Sequence, residues 1–450
     1  MAELFQEVRS ERNIFSAWRH VKRSALTSGN QDIRGMASEF EHAHQKHLRR
    51  IITQLRENRF IFDPVDGVLK DKRKREAQGK DPRPIAIATL KNRVVQRAIL
   101  QILQPREARD LRDVDSRFET KRDDRLGKIN NVNRSEFGVG GLIYPYGGVR
   151  PAIEKIMGAI DTGAKYFYQS DIKAFFTKIP TRNVVDFVRR ETRDDALADL
   201  FEQALAVHLA NADELKGYAD LFPKGGIGVA QGSSLSAFAG NVLLYEMDHE
   251  LNNTGVTAVR YIDDILIVSE NETDLESAIT LAKSRLEGFG FGLYSPANGS
   301  DKAARGECDK AINFLGCTIQ PRRCVPSKAS IDKLISGVAS SLSASKSAIN
   351  DALKTGKRLD SRMSQSAVLH QLGDKIYGWQ KSFAFCNEDQ PFRHVDDQIT
   401  NHVSGYQGFI SRKLADIDTP RQMMILGIPA TSTLFLTDKA RNRSKSATAK

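Results

Sequence analysis

The sequence predicts an α+β fold in which helical regions at both ends flank a mixed middle of alternating strands and helices. Three observations carry this. Apolar residues recur at helical spacing near the N-terminus and again beyond residue 328. Between them, short β-branched runs alternate with helical stripes. One such pair of runs, residues 257–269, forms a hairpin with two adjacent acids at its turn.

Residues 1–62 are expected to be helical. Phe15, Trp18 and Val21 form one stripe and Leu48, Ile51, Ile52 and Leu55 a second, separated by Ser28-Gly29-Asn30. His42, His44 and His47 fall on a charged surface helix, where a solvated face is a better reading than a metal site. From Lys70 to Arg83 seven basic and three acidic residues suggest a solvated hairpin tip. A short strand, Pro84 to Ile87, and a helix carrying Val94, Val95, Ala98, Ile99 and Ile102 follow. Residues 105–134 are charge-rich and are expected to form a surface insertion. Gly147-Gly148 precede a helix with Ile153, Ile156, Met157 and Ile160 on one face, ended by Gly163. A strand at 165–172, a helix at 182–209, a Gly-rich loop at 224–232 and a helix at 235–251 lead to the hairpin. After it come a helix at 274–288 and short strands around Phe314 to Thr318. Strands flanking helices and a hairpin in this order suit a ferredoxin-like split βαβ unit.

At 450 residues the chain is long enough for two or three domains. Lys and Arg outnumber Asp and Glu by 67 to 56, a net charge of +11, which favours a polyanionic partner and nucleic acid ahead of membrane. The four cysteines, Cys308, Cys317, Cys324 and Cys386, show no CxxC pair, so a disulfide framework is not expected and a reducing cytoplasm fits. Cys308, Cys317 and Cys324 fall within 17 residues, which leaves a zinc site open beside the favoured reading of free thiols. The charged N-terminus lacks the apolar core of a signal peptide, and no apolar run approaches a membrane span. A soluble chain is expected.

The chemistry-bearing segment is Tyr261-Ile262-Asp263-Asp264. Adjacent carboxylates buried without counter-charge cost about 3–5 kcal/mol, and a divalent cation is the natural resolution. Hard oxygen donors select Mg²⁺ or Mn²⁺. Alone, the pair is better read as a structural hairpin turn. A further acid is needed, and Asp171 at the end of the strand beginning at Tyr166 supplies it, 92 residues before Asp263. Two cations held by these acids would align an attacking 3′-hydroxyl with a leaving pyrophosphate. Ala230-Gln231-Gly232-Ser233-Ser234-Leu235-Ser236 opens the helix before the hairpin, where glycine admits close backbone approach and Gln231 can both donate and accept hydrogen bonds.

The ordered series RPIAIATLKNRVVQRAILQIL, SDIKAFFTKI, AQGSSLS, YIDDILIVS and FLGCTI resembles the finger and palm motifs of reverse transcriptases. The resemblance runs from about residue 10 to 400. Its N-terminal stretch, Phe15 to Phe62, is similar to that of group II intron relatives, and Ile376-Tyr377-Gly378-Trp379 to the thumb of the same bacterial class. It implies a right-hand polymerase: an N-terminal helical region (1–62), fingers (63–140), a palm with finger segments (141–325), a helical thumb (326–430) and a basic disordered tail (431–450). It also implies roles. Asp171 and Asp263 would be the principal metal ligands with Asp264 in support, holding two Mg²⁺, or Mn²⁺. Phe176 would lie beneath the sugar and exclude a 2′-hydroxyl, while Phe175 on the same extended segment would point into the core. Gln231, Gly232 and Tyr261 would border the nucleotide, and Arg83 and Lys80 would neutralise its triphosphate. The implied partners are an RNA template, in one version a dedicated non-coding RNA, a DNA product and dNTPs, with a homo-oligomer or partner protein left open and no membrane.

The chain departs from the family pattern in two places. Both prolines of the usual Pro-Gln-Gly-x-Pro-Leu-Ser loop are absent, and Ser295-Pro296-Ala297-Asn298 stands where a lysine is usual, with Lys302 as a substitute. It lacks the Val-Thr-Gly of retron enzymes, a Cys/His-rich nuclease end, and the Gln that diversity-generating enzymes carry where Ala237 stands. By elimination it resembles the defence-associated, abortive-infection class, implying a role in antiphage defence. The alternatives are an RNA-dependent RNA polymerase, against which Phe176 weighs, and an RNA-binding maturase-like or scaffold protein, against which the intact acids weigh.

Overall fold

The computed structural model describes residues 3–109, 118–296, 302–431 and residue 435. The chain forms two compact units, Met1–Lys310 and Ala311–Lys450.

The first unit opens with helices Leu4–Val8, Glu11–Leu26, Gln31–His42 and His44–Arg56. Ser10 and Asn30 cap the second and third by accepting backbone N–H groups, which is why the break falls at the Ser-Gly-Asn segment. The buried stripe of the second helix is Ile14, Ala17, Trp18, Val21 and Ala25, so Phe15 sits at its edge rather than its centre. Leu48, Ile51, Ile52 and Leu55 are all buried, as expected. His42 and His44 each bond a carbonyl one turn away, and His47 stacks on Phe40.

Strands β1 (Asp66–Lys70) and β2 (Arg83–Ile87) pair antiparallel, with Lys70 opposite Arg83, so the basic run is the connection of a hairpin. Part of it is a short helix, Lys72–Glu76, held where Tyr218 Oη donates to Glu76 and Lys72 lies 4.3 Å from the Tyr218 ring. The helix Leu90–Leu103 then runs through the core; Val94, Val95, Ala98 and Ile99 are fully buried, each larger side chain contributing about 1.5–3 kcal/mol.

The 105–134 segment differs in part from expectation, residues 110–117 lying outside the described residues. It contains β3 (Arg106–Ala108) paired with β4 (Phe118–Thr120), and its second half is packed: Leu126, Ile129 and Val132 are buried in the main core. Three apolar residues spaced among charges were enough to anchor it. The helix Val149–Asp161 follows Gly148 at its N-cap and ends two residues before Gly163. The long helix expected at 182–209 is two, Thr181–Thr192 and Asp195–Leu205. Arg193 breaks it in a left-handed conformation (φ 51°), and the Asp194 carboxylate caps the second helix and also accepts from Phe5 N.

The central sheet has the order β6 (Thr257–Tyr261), β7 (Asp264–Ser269), β5 (Tyr166–Asp171), β8 (Ala303–Glu307), all antiparallel. With helices between β5 and β6, including Ser236–Asn252, and Glu272–Glu287 between β7 and β8, this is the βαββαβ topology of a ferredoxin-like unit.

The second unit carries a small antiparallel sheet of β9 (Ile312–Phe314), β10 (Cys317–Gln320) and β11 (Arg323–Pro326). Helices Lys328–Thr355, Gln365–Ser382, Gln390–Ala415 and Thr419–Leu426 follow, with their own core around Leu334, Val338, Leu342, Ile349, Tyr406 and Ile410. The basic tail lies outside the described residues, Thr431 and Phe435 apart. Among the described residues no helix is long and apolar enough to cross a membrane.

Candidate active site

The hairpin connecting β6 and β7 has only Ile262 and Asp263 between its last paired residues, Tyr261 and Asp264. Ile262 adopts φ 62°, a strained conformation for a β-branched residue. The surroundings hold it there. Arg260, 1% exposed, donates from Nη1 to Ile262 O (2.9 Å), while Nε and Nη2 grip the Asp248 carboxylate (2.9 and 2.6 Å). Nη2 also reaches Asn241, whose own Nδ2 donates to Gly140 O (2.8 Å). Gly140 lies so close that a Cβ there would stand 2.5 Å from Ile262 N. This support was not legible in the sequence: its members are spread from 140 to 260, and no local signal joins them.

Across the sheet Asp171 is the register partner of Asp264, and the two carboxyl groups hydrogen-bond. Ile172 N donates to Asp263 O (2.7 Å), tying the end of β5 to the turn. Burial raises the Asp264 carboxyl to about 8, with the hydrogen bond and charge of Asp171 adding to it. Burial likewise raises Asp263, with Lys302 and Arg83 pulling the other way. Lys302 forms an ion pair with Asp171 and accepts Asp171 N at its carbonyl (2.9 Å). The lysine suggested as a substitute therefore does stand at the acids. Asp171 and Asp264 face one another and Asp263 adjoins them on the turn. Oxygen donors of this type suit a hard divalent cation such as Mg²⁺ or Mn²⁺, although the three carboxylates are not drawn within 4.8 Å of one another.

The other expected residues divide. Gly232 (φ 109°) needs its glycine, and a Cβ there would lie 3.7 Å from Ala86 O, so the Gln231-Gly232 loop runs beside β2, the strand that begins with Arg83. Arg83 is exposed and close enough to influence Asp263. Tyr261 is half-buried beside Asp264. Lys80 is exposed in the β1–β2 connection and makes no side-chain contact with the acids. Phe175 and Phe176 correct the expectation of an extended segment. Ala174 turns left-handed (φ 52°) and Phe175–Lys178 is a single helical turn. Phe175 is buried against Gly240 and Phe291, as expected for the core partner, and Phe176 is half-buried at the edge of that core with its carbonyl accepting Val229 N.

Among solved structures the chain is similar to one in a partial Cas6-RT-Cas1–Cas2 complex, with 18% identity over 64% of this chain and 43% of that one, and a TM-score of 0.34. It is also similar to telomerase from Candida albicans in complex with a TWJ fragment of telomeric RNA, with 12% identity over 79% and 59% and a TM-score of 0.41. The chain thus spans about half the length of these solved chains. No curated protein matches it. The model of the family described as reverse transcriptase (RNA-dependent DNA polymerase) matches residues 70–319, more than half of the sequence. On that match, joined to a ferredoxin-like palm with an acid-bearing hairpin, the chain belongs to the reverse transcriptase family and has the right-hand polymerase fold.

Proposed function

We propose that this chain extends a 3′-hydroxyl, or a protein hydroxyl if priming is internal, with dNTPs directed by an RNA template. The observation that carries this reading is the pairing of Asp171 with Asp264 beside Asp263 on a strained, buttressed turn. Asp171, Asp263 and Asp264 would hold two Mg²⁺, which when bound supply Lewis acidity and orient the phosphates. The residues of the chain do the rest. Arg83 stands where a triphosphate would need neutralising, Gln231 and Gly232 line the approach from β2, Tyr261 flanks the acids, and the Phe176 ring limits room beneath the sugar. Lys80, on its exposed connection, would join them only by closure of that hairpin. The divisions 1–62, 63–140, 141–325 and 326–430 correspond in this reading to N-terminal region, fingers, palm and thumb.

A basic cluster supports RNA as the template. Arg93, Arg97 and Arg106 are half-buried, and burial lowers all three. Arg97 Nε is buried without a hydrogen-bond partner among the described residues. Burial, then Arg97, Arg106, Arg23 and Arg93, hold His20 down at about 4. Converging cations of this kind suit a phosphate backbone.

We further place the activity in antiphage defence, with a dedicated non-coding RNA as template, in the cytoplasm. Nucleic acid recovered with the chain from cells tests this: one structured RNA joined to complementary DNA is expected, absent for Asp171→Ala. Heterogeneous RNA without DNA would contradict it, as would full phage resistance conferred by Asp171→Ala.

A further inference from the structure

Three cysteines are brought together in the second unit. Cys317 lies on β10 and Cys324 on β11; because Ile319 is opposite Cys324, Cys317 is its diagonal neighbour on the same face of the sheet. Cys386 comes from the corner between the helices Gln365–Ser382 and Gln390–Ala415. That corner is clasped onto β11: Asn387 N donates to Cys324 O (3.1 Å), Cys324 N to Asn387 Oδ1 (2.9 Å), and Asn387 Nδ2 to Arg322 O (2.8 Å). The three sulfurs all lie within 4.8 Å of one another, with Cys324 and Cys386 3.8 Å apart. Among the described residues this is the only group of three Cys, His, Asp or Glu side chains so gathered.

The spacing has a chemical meaning. Tetrahedral zinc with Zn–S bonds of ~2.3 Å sets its sulfurs about 3.8 Å apart. A disulfide would need two of them to close to about 2.05 Å and would leave the third unused. Apolar packing alone does not explain why three thiols from three separate segments point at one spot. Hard cations are excluded by the soft donors.

We propose that Cys317, Cys324 and Cys386 form a zinc site, three thiolates holding one Zn²⁺ and water completing its shell on the half-exposed Cys386 side. Binding exchanges three thiol protons, released to solvent, for three Zn–S bonds. The ion staples the β10–β11 hairpin to the helical corner of the same unit. In the sequence the site is a C-x6-C pair with its third member 62 residues on, a spacing that does not stand out. Cys308, grouped with Cys317 and Cys324 by sequence proximity, belongs to the first unit and is not a member.

The test is metal analysis of the full chain, purified without chelator and dialysed against micromolar zinc, alongside cobalt substitution. About one zinc per chain is expected, falling at least fivefold in Cys386→Ser and retained in Cys308→Ser. The wild-type chain loaded with Co²⁺ should show a thiolate-to-cobalt charge-transfer band, a readout that does not depend on any variant folding. Folded wild-type chain that holds no zinc and shows no such band overturns the proposal. So does a Cys324–Cys386 disulfide found by mass spectrometry in chain isolated from cells.

Discussion

Asp171 and Asp264 stand opposite one another across β5 and β7, and the two carboxyl groups share a hydrogen bond. Two acids in this position cannot both ionise cheaply without a cation between or beside them. Lys302 meets part of that need at Asp171, and the remainder falls on Asp264, whose carboxyl is pushed from 3.8 to about 8, first by burial and then by Asp171.

A pH dependence follows. A raised carboxyl means that the folded state favours the protonated acid. Below about pH 3.8 both folded and unfolded chains hold the proton and there is no cost; from there to about pH 8 the unfolded chain releases it more readily and stability falls. With divalent ions chelated, wild-type stability should therefore drop relative to Asp264→Asn between pH 4 and 8, by on the order of 2 kcal/mol after solvent screening. Urea denaturation across that range measures it, and Mg²⁺ should remove most of the slope. Equal slopes for both proteins would contradict the pairing.

The turn is expected to depend on what lies beneath it. Asp248→Asn leaves Arg260 buried with its charge unmatched, at a cost of about 3–5 kcal/mol in stability. Gly140→Ala drives a methyl group against Ile262 N; it should reduce polymerisation at least tenfold while lowering the melting temperature less than Asp248→Asn does. Thermal melts and primer extension on both variants check the order of effects.

How much of this was legible in the sequence depends on distance along the chain. The hairpin at 257–269 was readable because β-branched runs and adjacent acids are local signals, and Asp171 because it ends a recognisable strand. The Arg260–Asp248–Asn241 support was hidden, since a buried arginine looks like any surface arginine until its partners are placed. Ala174 and Arg193 adopt left-handed conformations that neither residue type announces, so the turn before Phe175 and the break at Arg193 were missed. Cys386 joined its partners only through the fold.

Phe176 sets sugar selectivity in this account. Phe176→Ala should shift the ratio of dNTP to NTP incorporation by at least about tenfold toward ribonucleotides, while Phe175→Ala should lose stability by about 3–5 kcal/mol. Single-nucleotide incorporation and chemical denaturation separate the two roles.

RNA affinity should weaken with salt, and Arg97→Ala should reduce the slope of log affinity against log salt by about one. Filter binding over a salt series measures it. His20, held down at about 4, should remain neutral at pH 6 by its ring proton shifts.

The most direct measurement is RNA-templated extension of a labelled primer by the purified chain, with dNTPs or NTPs, in Mg²⁺. Extension with dNTPs that is abolished by Asp171→Ala, with RNA binding within about twofold of wild type, is the expected result. Extension preferring NTPs, or undiminished in Asp171→Ala, would contradict the account.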